Sequence, residues 1–204
     1  MVRAVVISAA AALVIGIGGV YWFTRSGDDG FEPCRRGQVA GGQAAIGGPF
    51  SLVDTEGRRV TEADVITGPT LVYFGYSFCP DFCPMDLTRN AGVADRLAEE
   101  GKEIGQVFIS VDPARDTPES LKEFTGYIHP DLIGLTGTEE EVAAAARAYK
   151  VYFRLGDTSD EFYLVDHSTF TYLMDPEHGF LEFYPSDMDP EAMAESVACY
   201  VERI

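Results

Sequence analysis

Positive charge and histidine are both scarce in this 204-residue chain. Lys and Arg together number 15 against 33 Asp and Glu, which leaves a formal charge of −18. Phosphate backbones repel a chain this acidic, so nucleic acid is excluded as a partner, while basic partners are attracted. No internal repeat or low-complexity tract is present. Only three histidines, His129, His167 and His178, and four cysteines, Cys34, Cys79, Cys83 and Cys199, are available for metal or redox chemistry. Proline is missing from the whole stretch between Pro130 and Pro176.

Charge is missing altogether from Ala4 to Phe23, "AVVISAAAALVIGIGGVYWF", a run of twenty residues flanked by Arg3 and Arg25. About 20 apolar residues span the ~30 Å hydrocarbon core as a helix, and Tyr21 and Trp22 suit the interfacial aromatic belt. Bulky Tyr21, Trp22 and Phe23 stand where a signal peptidase would need small residues. The expectation is therefore an uncleaved membrane anchor over residues 1–25. Arg25, Arg35 and Arg36 follow the span and only Arg3 precedes it, so the positive-inside count does not itself send the C-terminal domain outward. The very short N-terminal tail and the thiol chemistry below place it there.

Residues 26–48, rich in Gly, Asp and Gln, read as a linker, and 49–204 as one folded domain. Within it "FSLVD" and "RRV" flank a Glu56-Gly57 turn, and Thr70–Tyr76 is a continuous apolar strand. Helical spacing follows from Met85 to Glu100, then the strand "QVFISV" at Gln106–Val111. Thr117 caps a helix with Pro118 at its first position, running to about Ile128, and "LIGL" at 132–135 is a short strand. Thr138 with Glu141 forms a capping box for a helix to Tyr149. "FYLVD", "TFTYLMD" and "FLEFYP" read as successive strands, and Asp189-Pro190 opens a final helix. This order predicts an α/β domain: a thioredoxin-like mixed sheet with helices on both faces.

The segment "FCPDFCP", residues 78–84, then falls at the C-terminal end of a central strand, where open α/β sheets carry their sites. One helical turn between Cys79 and Cys83 puts both sulfurs on one face with Cβ atoms ~5–6 Å apart. That is wider than an unstrained disulfide, and modest unwinding closes the gap. Three uses stay open: a redox pair, a fixed disulfide, or a pincer for a soft ion, the thiolates favoured by the helix N-terminus. His178, in a hairpin turn, and His129, at a helix end, read as surface residues. His167 sits among strand residues, either as a satisfied structural histidine or as a third ligand. Two thiolates and an imidazole suit Cu(I) or Cu(II), whereas zinc wants a fourth protein ligand that is not near in sequence.

Together, "YFGYSFCPDFCPMDL", "VFISVDPARDTPESL", "GLTGTEEEVAAAARAYKVYF" and "YLVDHSTFTYLMDPEHGFLEFY" resemble the Sco/SenC family of copper chaperones, in the family's order over about Phe50 to Glu202. The resemblance implies copper ligation by Cys79, Cys83 and His167 and a domain facing the periplasm or the mitochondrial intermembrane space. It also implies delivery of copper to the copper-bearing subunit of cytochrome c oxidase, for its dinuclear copper centre. Other copper donors or thiol reductants are implied partners. Asp166 shares the histidine's motif but as its strand neighbour points to the opposite face. Phe78 stands where many members carry a polar residue. The alternatives are a thiol–disulfide oxidoreductase acting on the oxidase subunit's cysteines, or a redox or copper sensor. A general thioredoxin-type enzyme is disfavoured by the longer cysteine gap and by the missing proline near His167. Asp112, Arg115 and Asp116 read as ordering a strand-to-helix turn, outside the site, and "GDTSDE" as a solvated loop. Cys34 and Cys199 either pair, remain free, or bond between molecules.

Overall fold

The computed structural model describes residues 30–36, 45–160 and 162–204. The expected anchor, residues 1–25, and most of the 26–48 linker lie outside the described residues. Among the described residues no helix is long and apolar enough to cross a membrane. The chain divides into two compact units, Met1–Cys34 and Arg35–Ile204. In the first, the described residues form a short 3-10 turn, Glu32–Cys34.

The second unit is built on a seven-stranded mixed sheet. Its strands are β1 (Ser51–Asp54), β2 (Arg59–Thr61), β3 (Thr70–Gly75), β4 (Gly105–Ser110), β5 (Leu132–Thr136), β8 (Phe170–Asp175) and β9 (Gly179–Pro185), in the order β2-β1-β5-β4-β3-β8-β9. β3 runs parallel to β4, and β4 to β5; the other neighbours are antiparallel. The helices are α1 (Glu62–Val65), α2 (Phe82–Glu99), α3 (Pro118–Ile128), α4 (Glu139–Ala148) and α5 (Pro190–Val201).

All six residues of β3, "TLVYFG", are buried, the signature of a strand covered on both faces. Its alternation shows what covers each face. Tyr73 reaches α2, donating its hydroxyl to Asp86 at 3.0 Å. Phe74, pointing the other way, packs on Tyr149 just beyond α4, with centroids 5.2 Å apart. Helices thus lie on both faces, as expected. α2 presents Cys83, Leu87, Ala91, Ala94 and Leu97 inward at helical spacing and also packs against α5.

The caps follow the sequence. Thr117 Oγ1 accepts from Ser120 N, Thr138 and Glu141 complete a capping box, and Asp189 accepts from Glu191 N and Ala192 N. The hairpin turn before β9 ends on Gly179, at φ +71°, a conformation that costs a Cβ-bearing residue strain.

One expectation is corrected. "FYLVD" does not form a strand of the main sheet. Only Val165–His167 is extended, as β7, and it pairs antiparallel with β6 (Phe153–Leu155) in a separate two-stranded ribbon. β8 is already paired on both edges, with β3 and β9, so no edge beside it is free for another strand. A second boundary also moves: α2 begins at Phe82 rather than Met85, which carries Cys83 into its first turn.

Candidate metal centre

β3 ends at Gly75, and the chain turns through Tyr76–Asp81 before entering α2. Asp81 stands at the N-cap position without a side-chain cap bond. The sulfur of Cys79 takes that part, accepting from Cys83 N at 3.4 Å. A thiolate at this end of the helix meets unpaired N–H groups and the positive end of the helix dipole. Pro84, inside the first turn, has no N–H to leave unpaired.

The two thiols are pushed in opposite directions. Cys79, half-buried, is lowered from 9.0 to about 3: hydrogen bonds from the Cys83 side chain, from the His167 ring and from the backbone N–H groups of Asp81 and Cys83 together outweigh partial burial. Cys83, fully buried, is raised, first by burial and then by its bond to the Cys79 sulfur and that sulfur's charge. The reduced pair therefore holds one proton, on Cys83, beside one thiolate, on Cys79.

His167 arrives from the ribbon. Its Nδ1 lies 3.0 Å from the Ser168 carbonyl, which can only accept, so Nδ1 donates there and Nε2 is the nitrogen turned toward the sulfurs. Nε2 lies 3.4 Å from Cys83 Sγ. Tyr73 and Tyr76 meet the imidazole edge-on, at centroid distances of 6.3 and 5.8 Å, and fix the plane of the ring. The three donor atoms of Cys79, Cys83 and His167 all lie within 4.8 Å of one another, the one such cluster among the described residues. Cys79 and His167 border a cleft of about 400 Å³ that Phe82 and Leu164 also line.

A family model described as SCO1/SenC matches residues 38–202. The chain belongs to the SCO1/SenC family. Protein SenC of Rhodobacter capsulatus is 51% identical over 197 residues, covering 97% of this chain and 89% of that protein. The match to the human mitochondrial SCO1 homolog, 39% identical, covers 78% of this chain but only 54% of that longer protein. Among solved structures, Arabidopsis thaliana ScoI with copper bound is 44% identical with a TM-score of 0.73, covering 78% of this chain and 99% of that one. Yeast Sco1 with copper bound is 38% identical with a TM-score of 0.72, over 78% and 90% of the two chains.

In this SCO1/SenC domain the other expected residues fall as follows. Asp166 is not in the three-donor cluster and pairs with Arg154 Nη2 at 2.6 Å, both side chains exposed. His129 bonds Asp95 and His178 bonds Asp175, neither in the cluster. Cys79 and Cys83 are free thiols, whereas Cys34 and Cys199 are both disulfide-bonded.

Two contributions were missed by the sequence reading. A Cβ on Gly75 would lie 2.7 Å from Cys83 Sγ, 3.0 Å from Tyr73 Cε1 and 3.1 Å from Phe108 Cε2, so glycine is what leaves room for the sulfur. The turn residues set aside as structural also reach the thiol loop. Asp116 accepts from Ser77 N at 3.1 Å, from the Ser77 hydroxyl in a short bond, and from Ser110 Oγ at 2.5 Å. Its burial raises its carboxyl above the usual range. The clue in the sequence was a charged triplet at the end of the strand next to the one feeding the thiols.

Proposed function

We propose that this chain is a copper carrier that holds the ion between the Cys79 and Cys83 thiolates with His167 as third ligand. One observation carries the reading: two sulfurs and an imidazole nitrogen within 4.8 Å of one another, brought from a helix start and a ribbon far apart in sequence. Thiolates select Cu(I), and adding imidazole extends the site to Cu(II). Copper-bound relatives of the same fold support it. Three protein ligands leave the ion open to a partner's cysteines, so copper passes by ligand exchange.

The recipient in this reading is the dinuclear copper centre of cytochrome c oxidase, in the periplasm or the mitochondrial intermembrane space, with residues 1–25 as the membrane anchor. Phe78, Phe82, Met85, Phe162 and Leu164 are exposed apolar side chains on the thiol loop, the start of α2 and the approach to β7. Apolar surface beside a metal cleft supports docking of a protein partner there.

A thiol–disulfide oxidoreductase is the second reading, favoured by the free dithiol with its lowered Cys79. His167→Ala separates the two. The full-length reduced chain is expected to take up one copper, and the variant to lose affinity by about tenfold or more, about 1.4 kcal/mol, while its disulfide exchange stays largely intact. Equal copper affinity in a chelator competition would overturn the carrier reading.

A further inference from the structure

The turn from Val111 to Thr117, between β4 and α3, touches both segments that carry the site. Asp112 is fully buried. Its Oδ2 accepts from Arg115 Nε at 2.5 Å and its Oδ1 from the Tyr163 hydroxyl at 2.7 Å. The guanidinium carbon of Arg115 lies 3.5 Å from the ring centroid of Tyr163 and 4.8 Å from that of Phe78. Phe78 directly precedes Cys79, and Tyr163 leads into β7 four residues before His167. The same guanidinium carbon lies 5.6 Å from the Tyr76 centroid, so a single cation packs against two rings of the thiol loop, Tyr76 and Phe78, and one from the approach to the histidine.

Neutralising Asp112 would need only an ion pair. The contact with three rings from two segments is additional, and it uses what distinguishes Arg from Lys, a flat cation that stacks on aromatic faces. The ribbon is short, and a two-stranded ribbon is marginal by itself, so its placement depends on such ties. We propose that Arg115 is a positioning residue that clasps the ribbon to the thiol loop and so sets the distance from the His167 imidazole to the two sulfurs. This rests on the copper-carrier reading and adds to it the element that makes three donors act as one set.

The test compares the full-length reduced parent with Arg115→Met and Tyr163→Leu, each loaded separately with Cu(I) and Cu(II). Both variants are expected to keep Cu(I) on the two thiolates. Their Cu(II) affinity should fall about 10- to 100-fold, the range seen when a group behind a metal ligand is removed. The thiolate-to-Cu(II) absorption bands should shift and the imidazole nitrogen coupling in the paramagnetic resonance spectrum weaken. The double variant should lose little more than either single one, because either cut opens the same clasp. If Arg115→Met fails to fold because Asp112 is left uncompensated, Tyr163→Leu, which keeps the Asp112–Arg115 pair, carries the test. A folded Tyr163→Leu variant with the parent's Cu(II) affinity and spectrum overturns the proposal. Should the parent itself take up no copper, the carrier reading falls, and amide hydrogen exchange on the metal-free chain decides the clasp. Faster exchange at Val165–His167 in Tyr163→Leu supports it, and unchanged exchange overturns it.

Discussion

The thiol half and the imidazole half of the centre are built on different terms. Cys83 sits in the first turn of an 18-residue helix packed on a strand with all six residues buried, and its own side chain has no exposure. His167 ends a strand of three residues paired with another of three, and the middle pair of that ribbon, Arg154 and Asp166, faces solvent. The ribbon is held from outside itself: by Tyr152 and Ser168, which exchange bonds of 2.9 and 3.1 Å across its open end, by the rings of Tyr73 and Tyr76, and by Tyr163 on Asp112. The core fixes the sulfurs, while a lightly built element brings the nitrogen. In the proposed carrier reading this divides the work: two ligands keep the copper and the third alters how firmly.

The thiol half has no slack, so the largest expected effect comes from crowding it. Gly75→Ala sets a methyl group 2.7 Å from Cys83 Sγ, with ring carbons of Tyr73 and Phe108 at 3.0 and 3.1 Å. Overpacking of this kind costs about 1–3 kcal/mol, and the sulfur must leave its position to relieve it. The variant is expected to melt several degrees lower and to lose affinity for both Cu(I) and Cu(II). His167→Ala, in contrast, should spare Cu(I) more than Cu(II). Thermal unfolding with the two copper titrations checks it; a Gly75→Ala protein as stable as the parent with full copper affinity would show that the rigid half yields after all.

The same contrast explains what was legible in the sequence. β3 and β4 are runs of buried β-branched and aromatic residues, and α2, α3, α4 and α5 carry their own spacing or caps, so the sheet and its helices could be read locally. Cys79 and Cys83 could be placed because strand, turn and helix start are consecutive. His167 could be suspected, yet its address was misread: "FYLVD" has the composition of a strand of the main sheet, and nothing within it says that β8 is already paired on both edges. Gly75 and Arg115 were illegible for another reason. Their roles depend on what lies across the fold, a sulfur on α2 and a ring on the ribbon approach, and neither distance is encoded in local pattern.

A smaller effect sharpens the electrostatic side of the comparison. Cys79, lowered to about 3, remains a thiolate in the metal-free reduced protein as pH falls from 8 to 5, whereas Cys83, raised by burial, keeps its proton. Protonation is what slows alkylation, and an ordinary thiol with a pKa of about 8.5 loses nearly tenfold in rate per pH unit below that value. Iodoacetamide is therefore expected to label Cys79 at similar rates at pH 5 and 8, with Cys83 labelled far more slowly, as peptide mass mapping would show. Copper loading at pH 7 should then release one proton per ion, the one on Cys83. Two protons released, together with a steep fall in Cys79 labelling toward pH 5, would mean that the helix start does not hold a thiolate.

The smallest effect belongs to the outward face of the ribbon. Asp166 adjoins His167 in sequence, and proximity alone invites a role as a ligand. The alternation of the strand turns it the other way, and its carboxylate is exposed against Arg154 at 2.6 Å. Exposed pairs of this kind contribute little. Asp166→Asn is accordingly expected to bind Cu(I) and Cu(II) with the parent's affinity and absorption spectrum, and to melt at the parent's temperature. A changed Cu(II) spectrum in that variant would mean that the ribbon rotates when copper arrives, bringing its outer face to the metal. The imidazole half would then be a moving part rather than a lightly tethered one, and the clasp formed by Arg115 would have to open during loading.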